Sequence, residues 1–165
     1  EMNKILKRGT SDEDNPRYNV GGFKVVPNTI GVVNMIETSS PETTEQDVDS
    51  LLDDYSKLTQ VTLEDIIDFH VKFERIHPFG DGNGRVGRII MFKECLKNAL
   101  VQAIGSKPDF EIILAAAKWV EKGVLVEADV LEIQAAIDKQ YVINEETVTD
   151  VSSEENMTEN FEVSE

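Results

Sequence analysis

"RIHPFGDGNGRVGR", residues 75–88, decides how this chain is read. Pro78 disfavours the α conformation in the residue before it, so a helix entering this stretch ends at His77. Gly82, Asn83 and Gly84 form a turn, and helical spacing resumes from Arg85 through Ile89, Phe92, Leu96 and Leu100. The pattern predicts a helix, a glycine-rich loop and a second helix, with a histidine delivered to the mouth of the loop.

The start of the second helix is a natural anion site, because its first N–H groups lack partners and its dipole favours negative charge. Gly82 and Gly84 let the backbone approach an anion without a Cβ in the way. Asn83 tolerates a left-handed conformation and adds a donor. Arg85 and Arg88 are spaced to grip one polyphosphate together. Asp81 offers a hard carboxylate oxygen for Mg²⁺ held against phosphate. His77 has an ordinary pKa near neutrality and suits a general base. Taken singly, each residue has a plainer reading as a cap, a turn or a surface charge, and a lone G-x-G is weak. Together, between His77 and Arg88, they point to transfer of a phosphorus-containing group.

Upstream, "TLEDIIDFHVKFERIH" (62–77) is the clearest helix. Thr62 is its expected N-cap, followed by acids in the first turn. Leu63, Ile66, Ile67, His70, Phe73 and Ile76 are expected on one buried face. His70 is read there as a core histidine hydrogen-bonded near the loop. "SSPETTEQDVDSLLDDYSKL" (39–58) predicts another helix, with Val48, Leu51, Leu52 and Tyr55 as its stripe. "TSDEDNPRYNVGG" (10–22) is rich in turn formers and reads as a loop. "FKVVPNTIGVV" (23–33) reads as a short hairpin or two extended segments, and Pro27 excludes a central strand. "PDFEIILAAAKWVEKG" (108–123) and "EADVLEIQAAIDKQYV" (127–142) predict two further helices, with Trp119 in core packing. Short connections imply a compact, mostly α bundle.

The whole chain has 165 residues and a net charge of −16, which predicts one domain and argues against nucleic-acid or anionic-membrane partners. Half of that charge comes from residues 144–165, which hold eight Asp/Glu and no Lys/Arg and read as an acidic, disordered tail after a domain spanning 1–143. Cys95 is the only cysteine and is expected to be a buried, inert thiol; an intramolecular disulfide is excluded, which suits a cytoplasmic location. No apolar run reaches transmembrane length and no signal peptide is visible. The opening "EMNKILKRGT" reads as a helix entered partway, so the domain is expected to be N-terminally truncated.

"HPFGDGNGRVGR" resembles the signature of the Fic family, H-P-F-x-[DE]-G-N-G-R-x-x-R, at every fixed position. The resemblance extends over residues 5–102, with "FKVVPN" similar to the segment before the family's β-hairpin flap. It implies a Fic-type helical bundle with a short flap near the active site. It also implies a protein adenylyltransferase that moves AMP from ATP, with Mg²⁺, to a Ser, Thr or Tyr hydroxyl of a target protein. Carried over by position, His77 is the base and Asp81 holds the metal. Gly82, Asn83 and Gly84 form the anion hole, and Arg85 and Arg88 hold the β- and γ-phosphates. Phe79 anchors the loop. Lys24, Val25, Val26, Pro27, Asn28, Thr29 and Ile30 belong to the flap that docks the target by backbone pairing. Residue 80, a variable position of the signature, is glycine and is read as adding flexibility.

Many members carry an inhibitory helix of pattern [ST]-x-x-x-E-[GN]. Glu155-Asn156 and Glu159-Asn160 do not fit it, because Val151 and Glu155 stand four residues earlier. The resemblance therefore leaves inhibition to upstream sequence, to a separate antitoxin chain, or to nothing. Rival readings of the same site are transfer of UMP or phosphocholine, removal of AMP, and a locked module that binds nucleotide or a partner without turnover.

Overall fold

In the computed structural model the backbone is described for residues 1–158 and side chains for residues 1–143. Among the described residues it is mostly helical, with α1 (Met2–Lys7), α2 (Thr44–Ser56), α3 (Leu63–Ile76), α4 (Asn83–Gln102), α5 (Asp109–Glu121) and α6 (Glu127–Thr158). Two short strands, β1 (Thr29–Ile30) and β2 (Ile36–Glu37), pair antiparallel with Thr29 opposite Glu37 and Ile30 opposite Ile36. The expected hairpin is present, but it closes over a longer stretch than residues 23–33. The chain divides into two compact units, Glu1–Cys95 and Leu96 onward, and the division falls within α4.

In the first unit, α3 begins with a capping box. Thr62 Oγ1 accepts from the Asp65 N–H at 3.2 Å, and the Asp65 carboxylate accepts from the Thr62 N–H at 2.8 Å. Thr62 also donates to that carboxylate, and these bonds hold the Asp65 pKa below its ordinary value. The buried face of α3 is Ile66, Phe69, Phe73 and Ile76. Leu63 and Ile67, expected on that face, are exposed, and Phe69 takes the inward position. An i, i+3, i+4 stripe leaves the choice between Ile67 and Phe69 to the neighbour, and that neighbour is α2, whose Tyr55 ring lies 4.8 Å from Phe69. Leu51, Phe69, Phe73, Ile76 and Val86 form the core of this unit. Leu52 of α2 falls outside it and is exposed.

In the second unit α5 packs on α6. Its core is Ile112, Ala116, Leu125, Ile133 and Ile137, with Trp119 packed against it. Gly123, just past α5, has φ +71°, a conformation that glycine adopts without a Cβ penalty. The stretch expected to be an acidic tail starts at residue 144; helix α6 runs into it as far as Thr158, and residues 159–165 lie outside the described residues. Cys95 is half-buried rather than buried. Among the described residues no helix is long and apolar enough to cross a membrane.

Candidate active site

Helix α3 ends on His77, whose backbone is left-handed (φ 53°, ψ 58°) while its N–H still donates to the Phe73 carbonyl at 3.0 Å. A left-handed residue other than glycine is uncommon, and such outliers concentrate at functional sites. The turn places His77 Nδ1 3.1 Å from the Glu74 backbone carbonyl. A carbonyl only accepts, so Nδ1 carries the proton and Nε2 is left as the acceptor, the tautomer a general base requires. The Glu74 carboxylate lies 3.9 Å from the same nitrogen.

The loop that follows is closed by Asn83, which is 1% exposed. Its Oδ1 accepts from the Phe79 N–H at 2.8 Å and its Nδ2 donates to the Phe79 carbonyl at 2.8 Å. Asn83 does not adopt the left-handed conformation that it tolerates, and its side-chain amide bonds the Phe79 main chain through both its oxygen and its nitrogen. Phe79 lies against Phe23 and Phe73, at ring-centre distances of 6.4 and 6.3 Å. Gly82 has φ +87°, and a Cβ there would meet Leu6 at 2.9 Å. Gly80 is corrected. A Cβ on it would stand 2.9 Å from the Tyr18 main chain, so glycine there permits close backbone packing instead of adding flexibility.

Asp81 is held by two cations. Buried Lys7 of α1 bonds both Asp81 and Asp12, and Arg85 Nη2 reaches Asp81 Oδ2 at 3.0 Å. The Lys7 hydrogen bond, opposed by partial burial and helped by the Gly82 N–H and the Arg85 charge, keeps the Asp81 pKa below the usual carboxylate value. The Asp81 side chain is half-exposed and anionic at neutral pH. Among the described residues no group of three His, Cys, Asp or Glu could hold a metal ion. A metal ion at this loop would find one carboxylate, Asp81, whose Oδ2 is bonded by Lys7 and Arg85, and would need phosphate and water oxygens to complete its shell. Arg88 is one turn beyond Arg85, and its Nη1 lies 3.1 Å from where a Cβ on Gly84 would stand.

The flap segment is less uniform than expected. Val25, Val26, Pro27 and Thr29 are exposed, and Asn28 and Ile30 are half-buried. Lys24 is corrected from a docking residue to a buried one, 2% exposed, with its pKa lowered by burial against a weaker pull from Asp47. A cavity of about 290 Å³ is lined by Arg17, Tyr18, Val26, Pro27, Asn28, Gly80 and Asp81, joining the flap to the loop.

Asn3, Lys7 and Glu74 were not singled out from the sequence. Asn3 donates to the Asp81 carbonyl at 2.9 Å and accepts from the Gly21 N–H at 3.1 Å. Glu74 alone carried a local signal, one helical turn before His77. The bond expected for His70 is absent at Nδ1, which is buried without a partner, as is Glu74 Oε1. Both side chains crowd Gly87, where a Cβ would meet Glu74 Oε1 at 2.5 Å and His70 Cε1 at 3.1 Å.

The Fic/DOC family profile matches residues 1–95, the same residues as the first compact unit. A probable protein adenylyltransferase of Aquifex aeolicus (strain VF5) is 38% identical over 82 residues, which are 50% of this chain and 25% of that protein. The match thus spans only a quarter of that relative's length. The crystal structure of a Fic family protein from Desulfovibrio desulfuricans G20 aligns over 90% of this chain and 45% of its own, at 20% identity and a TM-score of 0.47.

Proposed function

The chain belongs to the Fic/DOC family, and from that premise we propose that it is a protein adenylyltransferase, moving AMP from Mg-ATP to a Ser, Thr or Tyr hydroxyl of a target protein. The observation that carries this reading is the contact of His77 Nδ1 with the Glu74 carbonyl at 3.1 Å, which turns Nε2 outward at the end of α3, one loop away from the opening turn of α4. His77 Nε2 takes the proton of the acceptor hydroxyl. The hydroxyl oxygen attacks the α-phosphorus, a new P–O bond forms, the α–β bridging bond breaks, and pyrophosphate leaves. The backbone N–H groups that open α4 lack helical partners and face the developing phosphate charge. Arg85 and Arg88 hold the outer phosphates, with Arg85 exchanging its bond to Asp81 for one to phosphate. Asp81 would hold Mg²⁺, which when bound would supply charge neutralisation at the phosphates.

The acceptor is a side chain on an extended target segment laid along the flap, and the cavity beside Asn28 and Asp81 has room for one such side chain. The test is incubation with Mg²⁺ and ATP labelled on the α-phosphate, with and without cell lysate, followed by intact-mass analysis. A gain of one AMP on protein, lost in His77→Ala, is expected. Equal labelling by His77→Ala overturns the base role, and labelling only from another donor replaces AMP with that group.

A further inference from the structure

The carbonyls of Ile76, His77, Pro78 and Phe79 are consecutive, and two residues of the flap root bond all four. Lys24 Nζ donates to the Ile76 carbonyl at 3.0 Å, and the Lys24 N–H donates to that of Pro78 at 2.8 Å. Asn28 Nδ2 donates to the His77 carbonyl at 3.3 Å and to that of Phe79 at 2.9 Å. The remaining donors of Lys24 go to Asn28 Oδ1 at 2.8 Å and Thr38 Oγ1 at 2.9 Å, so its three N–H groups are all used on neutral oxygens. A buried ammonium without a bonded carboxylate is costly, and here it sits at the C-terminal end of α3, where the helix dipole is negative. Thr38 Oγ1 also lies 2.8 Å from the Asn28 carbonyl and 2.7 Å from its Oδ1. Asn28 stands just before β1 and Thr38 just after β2, so the two bracket the hairpin at its root.

We infer that Lys24, Asn28 and Thr38 are positioning residues that hold the flap in register with the base. A segment docked on the flap then brings its hydroxyl to His77 Nε2 in one place. This rests on the adenylyl-transfer reading for its catalytic consequence, and on the bonds alone for its mechanical one. The phosphate side does not need the clamp, because Asn83 closes the loop onto α4 by its own bonds to Phe79. The clamp therefore acts on acceptor alignment and not on ATP affinity.

The test variant is Asn28→Asp, which keeps an acceptor for Lys24 and loses the donor to His77 and Phe79. Amide exchange reads the mechanical coupling without any activity. Faster exchange, by about tenfold, is expected at the Lys24 and His77 amides together, while the Phe79 amide, held by Asn83, keeps its protection. Loosening of the flap with wild-type protection at His77 overturns the inference. For catalysis the probe is a set of extended peptides, each with one Ser, Thr or Tyr, plus the chain itself as acceptor. With wild-type transfer as reference, kcat is expected to fall about 100-fold with the ATP Kd unchanged. A parallel loss of ATP affinity, or a kcat within threefold of wild type, overturns it. Lys24→Met serves as the second variant if Asn28→Asp does not fold, with the same outcomes. Failure of the wild type to transfer AMP counts against the functional reading alone, since amide exchange still decides the clamp.

Discussion

Ile112, Ala116, Leu125, Ile133 and Ile137 of the second unit are at most 2% exposed and meet only as apolar surface. The loop after α3 has two apolar anchors, buried Pro78 and half-buried Phe79, and adds directional bonds to them. It is held by Asn83 on Phe79, Lys24 on Ile76 and Pro78, Asn28 on His77, and Lys7 on Asp81. Apolar burial is non-directional and roughly proportional to area, so it stabilises a packing without fixing any one atom. Hydrogen bonds weaken steeply with angle and distance, so they fix where a carbonyl or a ring nitrogen stands. The first arrangement suits a scaffold. The second suits a site whose reacting groups must be placed to a fraction of an ångström.

Substitutions should therefore separate rate from stability. The largest effect is expected for His77→Ala, with transfer falling by about 10²–10⁴-fold while the urea midpoint stays close to wild type. A large drop in midpoint would show that His77 also holds the fold. Ile133→Ala should do the reverse, costing about 2–5 kcal/mol in denaturant unfolding. An unchanged stability there would break the contrast. Gly80→Ala tests the close approach to Tyr18 and should cost about 1–3 kcal/mol, since main chain must move; a neutral result would return that glycine to a merely flexible role. Thr62→Ala removes a cap and should cost about 1 kcal/mol, read as a shift in thermal midpoint.

The smallest effect concerns pH. The Asp81 pKa is depressed in the folded state, so its contribution is fully present above the ordinary carboxylate value and lost as pH falls through the folded one. Unfolding of wild type and Asp81→Asn should differ at pH 7 and converge in acid below that folded value. Because the carboxylate is half-exposed, solvent screening keeps the difference small. A gap that persists in strong acid would rule out the ion pair as its source.

The sequence alone determined the frame of the site. Thr62 with Asp65 starts α3, Pro78 stops it at His77, and Gly82 turns the chain into α4. These choices are made among residues a few positions apart, so local conformational preference decides them. Only the tertiary structure decided which atoms hold the loop. Lys7 and Asp81 are 74 positions apart, and Lys24 and Ile76 are 52 apart. No local rule couples such pairs. A lysine reads as a surface charge until the fold closes three acceptors around it. The same limit applies to Phe69 over Ile67 and to Gly80 against Tyr18. The spacing offers each option, and the neighbour that arrives from elsewhere in the chain selects one.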